Sequence, residues 1–138
     1  MILILVSIIS YDIWFYISHV ALHSHFMYKY HKLHHTKSEP IYLDTYLASN
    51  AETVFQGVGV FFPSMVYKIK LFELAMALLF LNIRGMMAHD RRFVFLIGNH
   101  HLLHHKYHNC NYGQYWIDSL LGTLHPVKAE RRSGLLYT

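Results

Sequence analysis

Apolar and polar positions divide the chain into two apolar stretches set between polar, histidine-rich ones. The first apolar stretch runs from Ile2 to Leu22, interrupted by Ser7, Ser10, Asp12 and His19. At about 1.5 Å per residue it nearly spans a bilayer core of about 30 Å. Residues 23–46 are polar, basic and rich in His and Tyr, and they contain Pro40. The second apolar region runs from about Val54 to Met87, broken near Pro63-Ser64 and again at Tyr67-Lys68-Ile69-Lys70. Each of its arms is short for a full crossing. The pattern predicts a helical hairpin, either spanning a locally thinned bilayer or dipping in from one face. Residues 88–125 are polar again and hold seven of the 13 histidines. The basic tail, 126–138, reads as loosely held. Strand alternation and repeats of 20–50 residues are both missing from the pattern, so the expected fold is an all-α integral membrane domain occupying 1–138.

Composition narrows the function classes. Of the 138 residues, 54% are hydrophobic and 14% charged, against about 25% charged in soluble domains. That excludes a disordered chain, and a single Cys excludes an internal disulfide scaffold. The net charge of +4 does not form the basic stripe of a nucleic-acid binder; the cations are interleaved with apolar residues and His. Lys29, Lys32, Lys37, Arg91, Arg92, Lys106, Lys128, Arg131 and Arg132 accompany the His-rich regions. A hairpin over 54–87 returns both regions to one side of the membrane, and these cations mark that side as cytoplasmic. Lys68 and Lys70 at the hairpin tip oppose the assignment.

Histidine spacing carries the chemistry. His19-x3-His23 places two imidazoles on one helix face. His31-x2-His34-His35 offers i, i+3 and i, i+4 pairs, and His101-x2-His104-His105 repeats them, with His100 before and His108 after. His89-Asp90 closes the second apolar region. Neutral imidazole is the commonest nitrogen ligand for iron, zinc and copper. Eight to ten converging histidines exceed the needs of one tetrahedral zinc. They suit two metal ions, each with about four or five nitrogens and an open position. Bound histidines need the outer ring nitrogen tied down. Asp12 and Tyr16 share the face of His19, and Asp90, Asn99, Asn111 and Asp118 are further candidates for that role. Isolated His25 and His125 read as surface or capped residues, Cys110 as a small apolar filler, and the Met and Phe residues of 54–87 as lipid-facing or packing groups.

These boxes, in this order, resemble the fatty acid hydroxylase/sterol desaturase superfamily of membrane di-iron oxidases. Asn111-Tyr112-Gly113-Gln114 is similar to the sterol C-5 desaturase (lathosterol oxidase) branch. Asp118-Ser119-Leu120-Leu121-Gly122-Thr123 resembles the family's closing motif, and the resemblance covers most of residues 10–125. It implies a membrane enzyme with a dinuclear site in a histidine-rich cap on the cytosolic face. The metal ligands it implies are His19, His23, His31, His34, His35, His89, His101, His104 and His105, with His100 and His108 as additions. The implied cofactors are two Fe ions, with Zn an option in the purified protein, and O2. Electrons would come from NAD(P)H through cytochrome b5 or a ferredoxin. The implied reaction is hydroxylation or desaturation of a lipid C–H bond, sterol or fatty-acyl, in the endoplasmic reticulum membrane of a eukaryotic host.

Departures from the family pattern keep other readings open. Where the family has His-Pro-x-Glu/Asp, this chain has Ser49-Asn50-Ala51-Glu52, leaving the carboxylate alone, so any role of the missing His is lost or passed to His25 or His108. Trp116-Ile117-Asp118 alters the family's Trp-Asp pair. The chain begins almost at the first box, where the family usually has a further helix pair. That pattern fits a minimal version, a piece, or a protein embedded with a homo-oligomeric or helper subunit. The alternatives are a zinc-loaded, inactive membrane scaffold and an acyl-lipid desaturase.

Overall fold

The computed structural model describes residues 1–136 and is all-helical over them, with no strand. Two long helices dominate. Helix α1 spans Ile2–Leu22; α2 is a single turn, Tyr28–His31; α3 spans Asn50–Gly57; α4 spans Leu71–Ala88. Short helices follow: α5, Val94–Ile97; α6, His100–Tyr107; α7, Tyr115–Leu121. Helices α1 and α4 are long and apolar enough to cross a membrane, and 22% and 11% of their apolar windows are buried within the protein. Their outward faces carry Ile9, Ile13 and Ile17 on one and Leu79, Phe80 and Ile83 on the other, all exposed.

α1 and α4 run parallel, because polar contacts pair them at a constant offset. The Met1 amino group meets Glu73 Oε1 at 3.3 Å, and further along Arg84 Nη1 donates to Asp12 Oδ2 at 3.1 Å. Both partners of the second pair are buried, where an ion pair holds only when each charge meets its partner. Asp12 thus ties one apolar helix to the other. It sits seven residues from His19, which is about 10 Å along the axis, and bonds no histidine.

The region 50–88 forms the expected hairpin, with unlike arms. Ser49 opens α3 by accepting the Glu52 amide at 3.1 Å, the helix-start pattern of a serine three residues before an acid. The outgoing arm then tightens to a 3-10 helix over Val58–Met65, whose rise per residue is greater than that of an α-helix. Sixteen residues therefore reach about 28 Å, matching the roughly 27 Å of α4. This arm lies antiparallel on α1: Ser10 Oγ donates to Gly59 O (2.9 Å) and Trp14 Nε1 to Phe55 O (2.6 Å). Val60, Ala77 and Leu81 pack between the three elements against Ile4, Ile8 and Tyr11. The consequence for function is that the C-terminal ends of α1 and α4 and the start of α3 meet at one end of the bundle.

The tail departs from expectation, since residues up to 136 are tied down. Leu135 N donates to Phe95 O (3.0 Å) and Leu136 N to Leu96 O (2.8 Å). Asn99 clamps the same strap, donating to Glu130 O and accepting the Arg132 amide; its side chain is committed there and reaches no ring nitrogen. The remaining two residues of the tail, 137–138, lie outside the described residues.

Close approach at Gly59 gives a controlled test of the hairpin. A Cβ there would lie 2.5 Å from Trp14 Cβ, whereas one at Gly57 meets nothing within 4 Å. Gly59→Ala should lower the thermal midpoint in detergent micelles by several degrees while Gly57→Ala leaves it unchanged or raises it. Equal midpoints for the two variants would contradict this packing.

Candidate metal centre

Nine histidines converge at the end of the bundle where α1 and α4 terminate, and they form two nitrogen groups. His19, His23, His31, His35 and His104 make one; His34, His89, His101 and His105 make the other. In each group the ligand atoms all lie within 4.8 Å of one another. Each H-x-x-H-H box is shared between the groups. Its i, i+4 members stay together, His31 with His35 and His101 with His105, while His34 and His104 cross over. Helix geometry explains the split: residues four apart lie about 40° apart around the axis, and the intervening one points aside.

The spacing is that of ligands around a cation. Nε2 atoms stand 3.0 Å apart for His19–His31, 3.1 Å for His23–His31, 2.9 Å for His31–His35, 3.0 Å for His35–His104 and 3.1 Å for His23–His104. In the second group His34–His89 is 3.1 Å and His89–His101 3.2 Å. With metal–nitrogen bonds of about 2.1 Å, right angles at the metal separate neighbouring nitrogens by about 3.0 Å, and tetrahedral angles by about 3.4 Å. Five nitrogens at this spacing exceed the four that a tetrahedral ion takes.

The outer nitrogens settle which atom carries the hydrogen. His19 Nδ1–H donates to Tyr112 O (2.5 Å), His104 to Cys110 O (2.7 Å), His89 to Gly85 O (2.7 Å), and His34 and His105 to Leu47 O and Lys37 O (3.3 Å each). A carbonyl only accepts, so these rings hold their hydrogen on Nδ1 and present a bare lone pair at Nε2. Where two such rings face each other, as His34 and His89 do at 3.1 Å, the bare lone pairs repel and make no hydrogen bond. A cation between them turns that repulsion into ligation. The residues present therefore fit a pair of metal ions.

Burial keeps the rings neutral. His23 and His89 are pushed down to about 4, His34 to about 3, and His31 and His105 to about 2, in every case chiefly by burial. His101 and His104 lie well below their ordinary value for the same reason, reinforced by neighbouring histidines.

The residues proposed to tie down the rings do other work. Tyr16 bonds Thr123 Oγ1. Asp90 caps the turn at Arg91–Phe93 and pairs with Arg92. Asn111 donates to His100 O and accepts the His125 amide. Asp118 accepts the amides of Tyr112 and Gly113 and the Thr123 hydroxyl. It thereby aims the Tyr112 carbonyl at His19, one step removed from the ring. Backbone carbonyls meet five of the outer ring nitrogens and the Glu52 carboxyl meets that of His31; no sequence signal marks a carbonyl.

Of the remaining histidines, His100 turns away to Asp118 Oδ2 (3.0 Å). His108 stacks near His35 with ring centroids 4.3 Å apart and stands outside both groups. His25 is exposed. His125 is buried against Tyr107, with Cys110 Sγ 3.6 Å from its Nδ1. Neither His25 nor His108 replaces the histidine missing beside Glu52; that carboxyl itself reaches the site, its Oε1 2.7 Å from His31 Nδ1. Burial pushes Glu52 up to about 8.

A cavity of about 330 Å³ opens below the histidines between α1, α3 and α4. Its wall includes His34, His89 and His101 of the four-nitrogen group and no member of the five-nitrogen group. Tyr11, Phe15, Leu78 and Leu81 supply much of the rest.

Comparison with known proteins agrees with this architecture. The family model for fatty acid hydroxylase matches residues 4–123. The chain is 40% identical over 57 residues to methylsterol monooxygenase 1 of Danio rerio, covering 41% of this chain and 20% of that protein. It is 38% identical over 69 residues to a putative methylsterol monooxygenase of Dictyostelium discoideum, covering 49% and 26%. A second such protein from the same organism is 32% identical over 125 residues, covering 81% and 46%. The chain thus spans less than half the length of each of these relatives, and their names differ from the sterol C-5 desaturase branch to which Asn111–Gln114 is similar. No solved structure matches the chain.

Acid should loosen this centre. The rings stay neutral in the fold but take a proton near their ordinary value of 6.5 once released, so unfolding takes up protons below that pH. Stability is complete above about 6.5 and falls progressively toward pH 4. Thermal midpoints of the metal-free protein between pH 7.5 and 4.5 should decline below 6.5. A flat profile would show that the histidines are not buried neutral.

Proposed function

This chain belongs to the fatty acid hydroxylase family, and from that premise we propose that it is a membrane-embedded oxygenase that hydroxylates or desaturates a lipid C–H bond. The observation that carries the reading is the convergence of nine histidine nitrogens into groups of five and four, neighbours standing near 3 Å apart. Five nitrogens exceed what a tetrahedral zinc takes, which favours iron over a zinc scaffold in the five-nitrogen group. Two ferrous ions with dioxygen and external electrons supply oxidising power toward an unactivated C–H bond that side chains lack.

The chain's own residues supply the rest. His19, His23, His31, His35 and His104 hold one ion, and His34, His89, His101 and His105 the other. The carbonyls of Tyr112, Cys110 and Gly85 keep hydrogens off the ligating nitrogens. Burial of the site excludes water. The cavity brings a lipid from the apolar bundle to His34, His89 and His101, so the reacting bond meets the four-nitrogen group. Helices α1 and α4 anchor the chain in the membrane. Exposed Lys32, Arg91, Arg92 and Lys106 support the histidine end as the cytosolic face, against Lys68 and Lys70 at the opposite end. An electron carrier of the cytochrome b5 or ferredoxin class, fed by NAD(P)H, docks there.

Metal content separates the groups. Protein purified anaerobically with excess iron should carry close to two irons per chain. His104→Ala and His101→Ala should each lose about one of them and all lipid turnover, while His125→Ala retains both. Full iron content or normal turnover in the His104 variant would overturn the assignment, and a single zinc in the parent protein would favour the scaffold.

A further inference from the structure

The five-nitrogen group is closed on its cavity side, since none of its members belongs to the cavity wall. His19, His31 and His104 are fully buried, His35 is 8% exposed, and His23 alone is half-buried. A metal site needs a path by which its ion arrives, and here that path lies past His23. The rings along it are also the loosely held ones. His19, His31 and His104 have their outer nitrogens engaged by Tyr112 O, Glu52 Oε1 and Cys110 O. His23 and His35 make their polar contacts through Nε2, and His35 Nδ1 is buried without a partner. An imidazole with no second tether turns more freely than one whose outer nitrogen is fixed.

His108 lies against this loose half. Its ring centroid is 4.3 Å from that of His35, and it stands near enough to His23 and His31 for its charge to act on both. It is half-buried, its amide donates to His104 O at 2.7 Å, and among the described residues its ring is not hydrogen-bonded. The residue ends α6 with φ +63°, a turn that glycine makes with less strain, yet the chain carries an imidazole there. We propose that His108 is the entry ligand for the metal ion of the five-nitrogen group. It takes the ion from solvent and passes it between His23 and His35 to the anchored His19, His31 and His104. Each step replaces a water on the ion by a neutral imidazole nitrogen, so neither protons nor electrons change hands. Standing outside the finished group, His108 sets how fast an ion comes and goes, and leaves how many are held unchanged. The proposal rests on the metal assignment of that group and is independent of the lipid reaction.

Isotope exchange tests this without turnover. Iron-loaded full-length chain in detergent micelles is mixed anaerobically with excess isotopically labelled ferrous ion, and bound label and total iron are followed with time. An ion leaves by the path along which its replacement arrives, so the exchange rate reads the path at constant content. His108→Asn and His108→Gly both suit the left-handed turn and remove the imidazole. Each should slow exchange of one of the two irons by about tenfold, the scale on which groups beside a metal act, with total iron unchanged. His25→Ala removes an exposed histidine outside both groups and should leave exchange as in the parent protein. Unchanged exchange in both His108 variants, or equal slowing in His25→Ala, would overturn the proposal. Loss of one iron from both His108 variants would overturn it too, by making His108 a resident ligand. Fewer than two irons in the parent protein refutes the metal assignment itself, so content and rate tell the two failures apart.

Discussion

Mutual repulsion among bare imidazole lone pairs is the constraint on which the rest of this fold depends. Nine neutral rings are packed at one end of the bundle, and five of them have the hydrogen held away from the centre by backbone carbonyls. Without cations this is an unfavourable arrangement, and the surrounding structure has to enforce it. Parallel α1 and α4 bring His19, His23 and His89 to the same level. The α6 helix adds His101, His104 and His105 from the side.

Enforcement comes from layers that do not touch the ligands. The Asp12–Arg84 pair sets the register of the two apolar helices, so their ends meet. Asp118 gathers the amides of Tyr112 and Gly113 and fixes the loop whose carbonyl grips His19. The strap of residues 130–136 holds the α5–α6 junction at Gly98, whose φ of +75° and close approach to Arg132 O leave no room for a side chain. Rigidity supplied this way preorganises the ligand positions.

The two nitrogen groups differ in what they face. Only the four-nitrogen group borders the cavity, while the five-nitrogen group lies behind Glu52, Tyr112 and α1. The two groups thus differ in their access to the cavity, and Glu52, beside His31 of one and in the cavity wall with the other, lies between them.

Sequence alone determined the helical class and the two apolar stretches and pointed to the histidine boxes, because hydropathy and i, i+4 spacing are local properties that survive folding unchanged. The resemblance left Glu52 as the remaining carboxylate of an altered motif and gave it no role; its contact with His31 belongs to the tertiary structure. Tertiary structure decided how the boxes divide between two groups, since that depends on which helix faces which. It also decided that carbonyls, rather than Asp12, Tyr16, Asp90 or Asn111, steady the rings: every residue has a carbonyl, so composition cannot mark the few that reach a histidine. The 3-10 arm and the pinned tail belong to the same class. Both answer to distances between elements remote in the chain, which no local pattern encodes.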